Sequence, residues 1–160
     1  MYRIYRETRI KTTQQRCFDL SRSIDFHQGS MSHTNEVPVA GTTGGLIELG
    51  EWVEWEATHF LVRQRLSSRI TEMVKPDYFV DEMVKGAFRS FHHKHEIRKI
   101  SENEVLMIDD FRYQTPLGIL GNIAYFLFLK KYMENMIGSR AIAIKQTLEN
   151  GDWKKYLKDE

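Results

Sequence analysis

The chain has 160 residues, 41% of them hydrophobic and 28% charged, an ordinary globular composition. Its 23 Lys and Arg against 22 Asp and Glu leave a formal net charge of +1, which provides no general attraction to nucleic acid or anionic lipid. The only cysteine, Cys17, excludes an internal disulfide and a cysteine-rich zinc site, and fits a reducing compartment such as the cytoplasm.

This length predicts one domain over residues 1–160, enough to bury one core and short for two. Charges at Arg3, Arg6, Glu7 and Arg9 interrupt the N-terminus where an export signal needs an apolar run. The most apolar stretch, Leu117 to Leu129, is 13 residues long and contains Gly118, Gly121 and Asn122. A spanning helix needs about 20 apolar residues, so this stretch predicts a buried helix and no transmembrane segment.

Tyr2, Ile4 and, after a slip, Ile10 alternate with charged residues and predict a first strand with one wet face. Thr13 is placed to cap a helix over Gln14 to Leu20, and Ser23 a second short helix through His27. From Gly29 to Gly45 the chain is rich in Ser, Thr, Asn and Gly and has neither period, which predicts a long loop. An antiparallel meander follows. Val53, Trp55, Ala57 and His59 share one face; Val62, Gln64, Leu66, Ser68 and Ile70 share the next. Tyr78 to Lys85, then Phe91, His93, His95 and Ile97, then Val105, Met107, Asp109, Phe111 and Tyr113 continue it, with turns at Pro76-Asp77, Gly86-Ala87 and Ser101 to Glu104.

Pro116 ends the last strand and suits the first turn of a helix. Ile119, Ile123, Phe126, Met133, Ile137 and Ile144 then recur at helical steps as far as Asn150, with Gly138 a possible bend. This order of elements is α+β, and a curved sheet gripping the long helix leaves a space that a ligand can occupy.

The strings Gly50-Glu-Trp-Val-Glu-Trp-Glu-Ala-Thr-His-Phe60 and Pro76-Asp-Tyr-Phe-Val-Asp-Glu-Met-Val-Lys-Gly-Ala-Phe88 resemble the START-like, or SRPBCC, superfamily, which includes Bet v 1-like and polyketide cyclase proteins. Phe91-His-His-Lys-His-Glu-Ile97 and Asp109-Asp-Phe-Arg-Tyr-Gln-Thr-Pro-Leu-Gly118 are similar to the sixth and seventh strands and the start of the terminal helix in small bacterial ligand-binding members. The resemblance implies a helix-grip fold: a curved antiparallel sheet of about six to seven strands around a long C-terminal helix, with two short helices after strand one. It also implies a lipid, aromatic or polyketide-like ligand. Superfamily members range from carriers to cyclases, so fold alone does not select an activity.

Binding or carriage of an apolar small molecule, without catalysis and without a cofactor, is the leading reading. Its candidate lining is Trp55, His59, Phe88, Phe91, His95, Met107, Asp109, Tyr113 and Ile123. The alternative is a cyclase or aromatase-like enzyme in which His93 or His95, oriented by Asp109, moves a proton. No metal is expected, because His93 and His95 lack a third ligand unless His59 supplies it. Arg63, Arg65 and Arg69 form a basic stripe, but Glu54 and Glu56 stand on the neighbouring strand to pair with it. No nucleic-acid partner is expected, and an exposed Trp52 beside this charged face makes protein binding a weaker third reading.

Overall fold

The structure is a computed structural model that describes residues 1–115, 123 and 128–158. Among them are seven strands: β1 (Tyr2–Ile10), β2 (Val37–Gly41), β3 (Trp52–His59), β4 (Val62–Val74), β5 (Tyr78–Lys85), β6 (Ser90–Ser101) and β7 (Glu104–Gln114). They form one antiparallel sheet in the order β1-β7-β6-β5-β4-β3-β2. Helices α1 (Gln14–Ser21) and α2 (Ile24–Ser30) follow β1, and α3 (Lys130–Asn150) follows β7. The expected helix start at Pro116, and Ile119 and Phe126 on its apolar face, lie outside the described residues.

Local chemistry accounts for the helix boundaries. The Thr13 side chain accepts from the Arg16 N–H, and the Ser23 side chain from that of Phe26, satisfying donors that the first turn leaves orphaned. Helix α3 ends at Gly151, which adopts φ +88°, a left-handed backbone that favours glycine. Gly138 does not divide α3. A Cβ there would stand 3.1 Å from Arg6 Nη1, so the glycine makes room for an arginine from the sheet.

Two expectations need correction. The segment read as a loop from Gly29 to Gly45 contains a 3-10 turn (Ser32–Thr34) and β2, which pairs with β3 at the sheet edge. Backbone pairing holds it there, so it needs no alternating pattern of its own. Strand β1 also has no slip: its register with β7 is continuous from Tyr2–Tyr113 to Ile10–Val105. Arg6 and Thr8 therefore occupy inward positions between Ile4 and Ile10, where periodicity alone cannot distinguish a buried arginine from a solvated one.

Irregularities in the β2–β3, β4–β5 and β6–β7 pairings bend the sheet, as bulges do. Its concave face carries two apolar clusters. One gathers Ile10, Phe18, Leu20, Phe79, Ile97, Met107, Ile144 and Trp153 under α1 and the end of α3. The other gathers Ile4, Phe91, Phe111, Tyr113, Met133 and Ile137. On the convex face Glu56 pairs with Arg63 and, at 3.0 Å, with Arg65, while Arg65 also reaches Glu54 at 3.5 Å, so Arg63 and Arg65 of the basic stripe are salt-bridged. No helix among the described residues is long and apolar enough to cross a membrane.

Phe18 is fully buried and meets Phe79 edge-on at 5.7 Å between ring centroids. Replacing it with Ala removes that contact and leaves a cavity, so Phe18→Ala should cost about 3–5 kcal/mol. Urea denaturation measures this; a loss below about 1 kcal/mol would contradict the packing described.

Candidate functional site

Between the sheet and α3 lies a cavity of about 270 Å³, near the lower limit of small-molecule pockets. Strands β3 to β6 supply Trp55, Ala57, His59, Leu66 and Phe91, the β5–β6 connection supplies Phe88, and α3 supplies Tyr132, Met133, Met136 and Ile137. The wall is mainly apolar and aromatic, with polar groups at a few places. At one of them His59 Nδ1 and the Tyr132 hydroxyl meet at 2.5 Å. At another, the imidazole of His27 lies 4.3 Å from the Trp55 ring and 3.2 Å from Glu36 Oε1. Glu36 Oε2 is buried without a hydrogen-bond partner. Met31 and Glu36 reach this wall from the segment expected to be a loop.

Of the residues expected to line the space, Trp55, His59, Phe88 and Phe91 stand on the cavity wall, as does His93 of the alternative catalytic pair. Four others do not. Met107 is buried in the cluster beneath α1, with its sulfur 3.9 Å from Ser21 Oγ. Tyr113 is buried behind the wall, against Phe88, Phe111 and Tyr2. Asp109 is buried beneath the two histidines, and Ile123 is 55% exposed. The reason is where the helices lie: α3 packs on β1 and α1 on β6 and β7, so inward residues there are covered, apart from Phe91 and His93 of β6 and Phe111 of β7, which reach the space. His95 faces a smaller pocket of about 50 Å³ that it shares with Asp81, Phe79 and Arg140.

The register explains the polar cluster. His95 pairs with Asp109 on one side and Phe79 on the other, and His93 with Phe111 and Asp81. Asp109 Oδ1 lies 3.0 Å from His93 Nε2 and 3.3 Å from His95 Nδ1. Asp81 Oδ1 lies 3.0 Å from His95 Nε2 and 3.9 Å from His93 Nδ1. The two imidazoles are 3.7 Å apart between centroids, and Phe79 stacks on His95 at 4.4 Å.

Burial drives each of these groups toward its neutral form, and the neighbours decide the outcome. Burial, reinforced by the adjacent His95, pushes His93 down to about 4, so its ring is neutral at pH 7. For His95, burial also acts downward, but hydrogen bonds to Asp109 and Asp81 outweigh it and raise the pKa. Burial would raise both carboxyls. The histidines reverse that, holding Asp109 well below the usual carboxylate range and Asp81 at about 2. His95 thus bridges two carboxylates that favour its protonated form, and His93 is a neutral ring held by one of them.

Reading the sequence missed Asp81, Arg140, Glu36 and Tyr132. Asp81 had a signal: it alternates with Phe79 and Met83 in β5 and so shares their inward face. Arg140 follows Ile137 by three residues and precedes Ile144 by four, which places it on the apolar side of α3. Asp81 also changes the metal question. One ligand-type atom from each of Asp81, His93 and His95 lies within 4.8 Å of the other two, while His59 is engaged with Tyr132.

Asp109 and Asp110 are adjacent but face opposite sides of the sheet. Asp110 meets the exposed Arg3 and Arg112, each at 2.7 Å; burial would raise its carboxyl, but these hydrogen bonds pull it down to about 2. Asp109→Asn should cost about 3 kcal/mol at pH 7, because it leaves buried imidazoles without their anion, whereas Asp110→Asn should cost about 0.2–1 kcal/mol. Because the folded state holds the Asp110 carboxyl down, its contribution is present above the ordinary carboxylate range and disappears as pH falls through about 2. Urea denaturation of both variants tests the contrast, and equal losses at pH 7 would refute it.

No family profile matches the chain, and no curated protein matches its sequence. Solved structures match its shape. A protein from Thermus thermophilus has a TM-score of 0.75 at 13% identity, covering 94% of this chain and 99% of that one. A START superfamily protein from Mycobacterium smegmatis has 0.71 at 8% identity, covering 94% and 99%. Norcoclaurine synthase from Thalictrum flavum, in complex with dopamine and hydroxybenzaldehyde, has 0.66 at 7% identity, covering 93% and 87%. The chain has the helix-grip fold of the START-like, or SRPBCC, superfamily.

Proposed function

We propose that this protein binds or carries an apolar small molecule, aromatic or lipid-like, in the cavity between β3–β6 and α3. The observation that carries this reading is the space of about 270 Å³ whose wall combines Trp55, Phe88, Phe91, Met133 and Ile137 with a few polar tips. Such a wall gains from displacing water and orients a ligand through a small number of hydrogen bonds. The norcoclaurine synthase structure, with its small aromatic compounds, lends the reading support at the level of fold. The formal charge of +1 and the salt-bridged Arg63 and Arg65 favour a small molecule over nucleic acid. The single cysteine, Cys17, favours the cytoplasm.

The second reading is acid–base catalysis on a bound carbonyl compound, of the kind a polyketide cyclase performs. It is favoured by one observation: His93 stands on the wall, neutral, with Asp109 at 3.0 Å fixing its orientation. His93→Gln would then abolish turnover and leave binding intact; equal loss of both would exclude the role.

Protein purified without added ligand should release an apolar compound on solvent extraction, visible as a mass difference in native mass spectrometry. Ala57 is buried on the cavity wall, so Ala57→Trp should fill the space while circular dichroism stays native. Fluorescence titration with 8-anilinonaphthalene-1-sulfonate should then weaken by at least about tenfold, equivalent to about 1.4 kcal/mol. Unchanged probe binding in this variant would place the site elsewhere.

A further inference from the structure

The polar cluster on the cavity wall has the form of a coordination site. Asp109 Oδ1 sits at the back, 3.0 Å from His93 Nε2 and 3.3 Å from His95 Nδ1. One carboxylate thus engages one nitrogen of each ring and fixes the direction of the other. The nitrogens left over, His93 Nδ1 and His95 Nε2, lie 3.9 and 3.0 Å from a single oxygen of Asp81. These separations bracket the roughly 3.3 Å between neighbouring donor atoms of a tetrahedral site with bonds of about 2.0–2.1 Å.

We infer that Asp81, His93 and His95 form a binding site for one divalent first-row transition-metal ion, with Asp109 as the positioning residue that holds both imidazoles. Two imidazoles and one carboxylate suit zinc, iron or cobalt and disfavour magnesium and calcium, which take oxygen ligands. A carboxylate on the far nitrogen of a ligating histidine fixes its tautomer and increases its basicity. The cluster is supported on three adjacent strands, since Asp81 is in β5, His93 and His95 in β6 and Asp109 in β7. The sign of the charge agrees as well, because the ion would face the Asp81 carboxylate with that of Asp109 behind the rings. Arg140 shares the smaller pocket with Asp81 and His95, and its guanidinium is tied to the Ser21 carbonyl at 2.8 Å. Asp81 and His93 reach the main cavity, so three protein ligands would leave an open position toward any molecule held there. The site does not require the apolar ligand, and either can exist without the other.

The test uses the full chain stripped with a chelator and titrated with ZnCl2 by calorimetry and with CoCl2 by visible absorption. One ion per chain is expected. Asp81→Asn should weaken binding at least about tenfold, Asp109→Asn by about 10–100-fold, and His33→Gln, at an exposed histidine, should leave it unchanged. No saturable binding, or binding that survives Asp81→Asn, would overturn the inference. A measurement on the unaltered protein keeps it falsifiable if the variants do not fold. Zinc should shift the imidazole 15N resonances of His93 and His95 and leave that of His33 in place, whereas shifts confined to other histidines would refute the site. Anilinonaphthalene sulfonate binding with and without zinc separates this result from the apolar-ligand reading.

Discussion

A band of buried and half-buried polar groups crosses the middle of the concave sheet face, and the rest of the molecule is arranged around it. Register puts Arg6 opposite Asp109, Asp109 opposite His95 and His93 opposite Asp81, with apolar clusters on either side. None of these groups can be buried alone without a cost of several kcal/mol. Asp81, His93, His95 and Asp109 are tolerated because a neighbouring strand supplies each with a partner, so the pairings of β5, β6 and β7 and the charges of the cluster support one another. A one-residue slip of β6 would turn both histidines to the outer face and leave Asp109 without its partners.

This constraint also shapes the space. A sheet lined only with large apolar side chains could close on α3 as a continuous core. Here the band divides the core, and α3 passes over it with Gly138 beside Arg6 and Arg140 near Asp81. Packing is complete over β1 and most of β7 and incomplete over β3 to β6. The cavity therefore has a polar stretch of wall formed by Asp81 and His93, within surroundings that are mainly apolar and aromatic. A ligand there would be gripped by its body and oriented at that wall. The shared fold of structures below 15% identity fits this division of labour: backbone pairing and helix placement are common to them, and side chains on the inner face are free to differ.

The sequence by itself determined the order of the elements other than β2, the inner and outer face of the central strands, the two short helices with their Thr13 and Ser23 caps, and the inward direction of Trp55, His59, Phe91, His93, His95 and Asp109. These follow from period-two alternation and from capping chemistry, which are local. Strand β2 was illegible because its pairing partner, and no pattern of its own, makes it a strand. The tertiary structure decided depth and neighbourhood. Met107, Asp109 and Tyr113 face inward as their alternation requires, yet α1, α3 and the neighbouring side chains cover them. Asp81 and Arg6 became central because register set them beside His93 and Asp109. Alternation tells which side of a sheet a residue occupies; what covers it, and which charge stands one strand away, depends on long-range packing that no local period encodes.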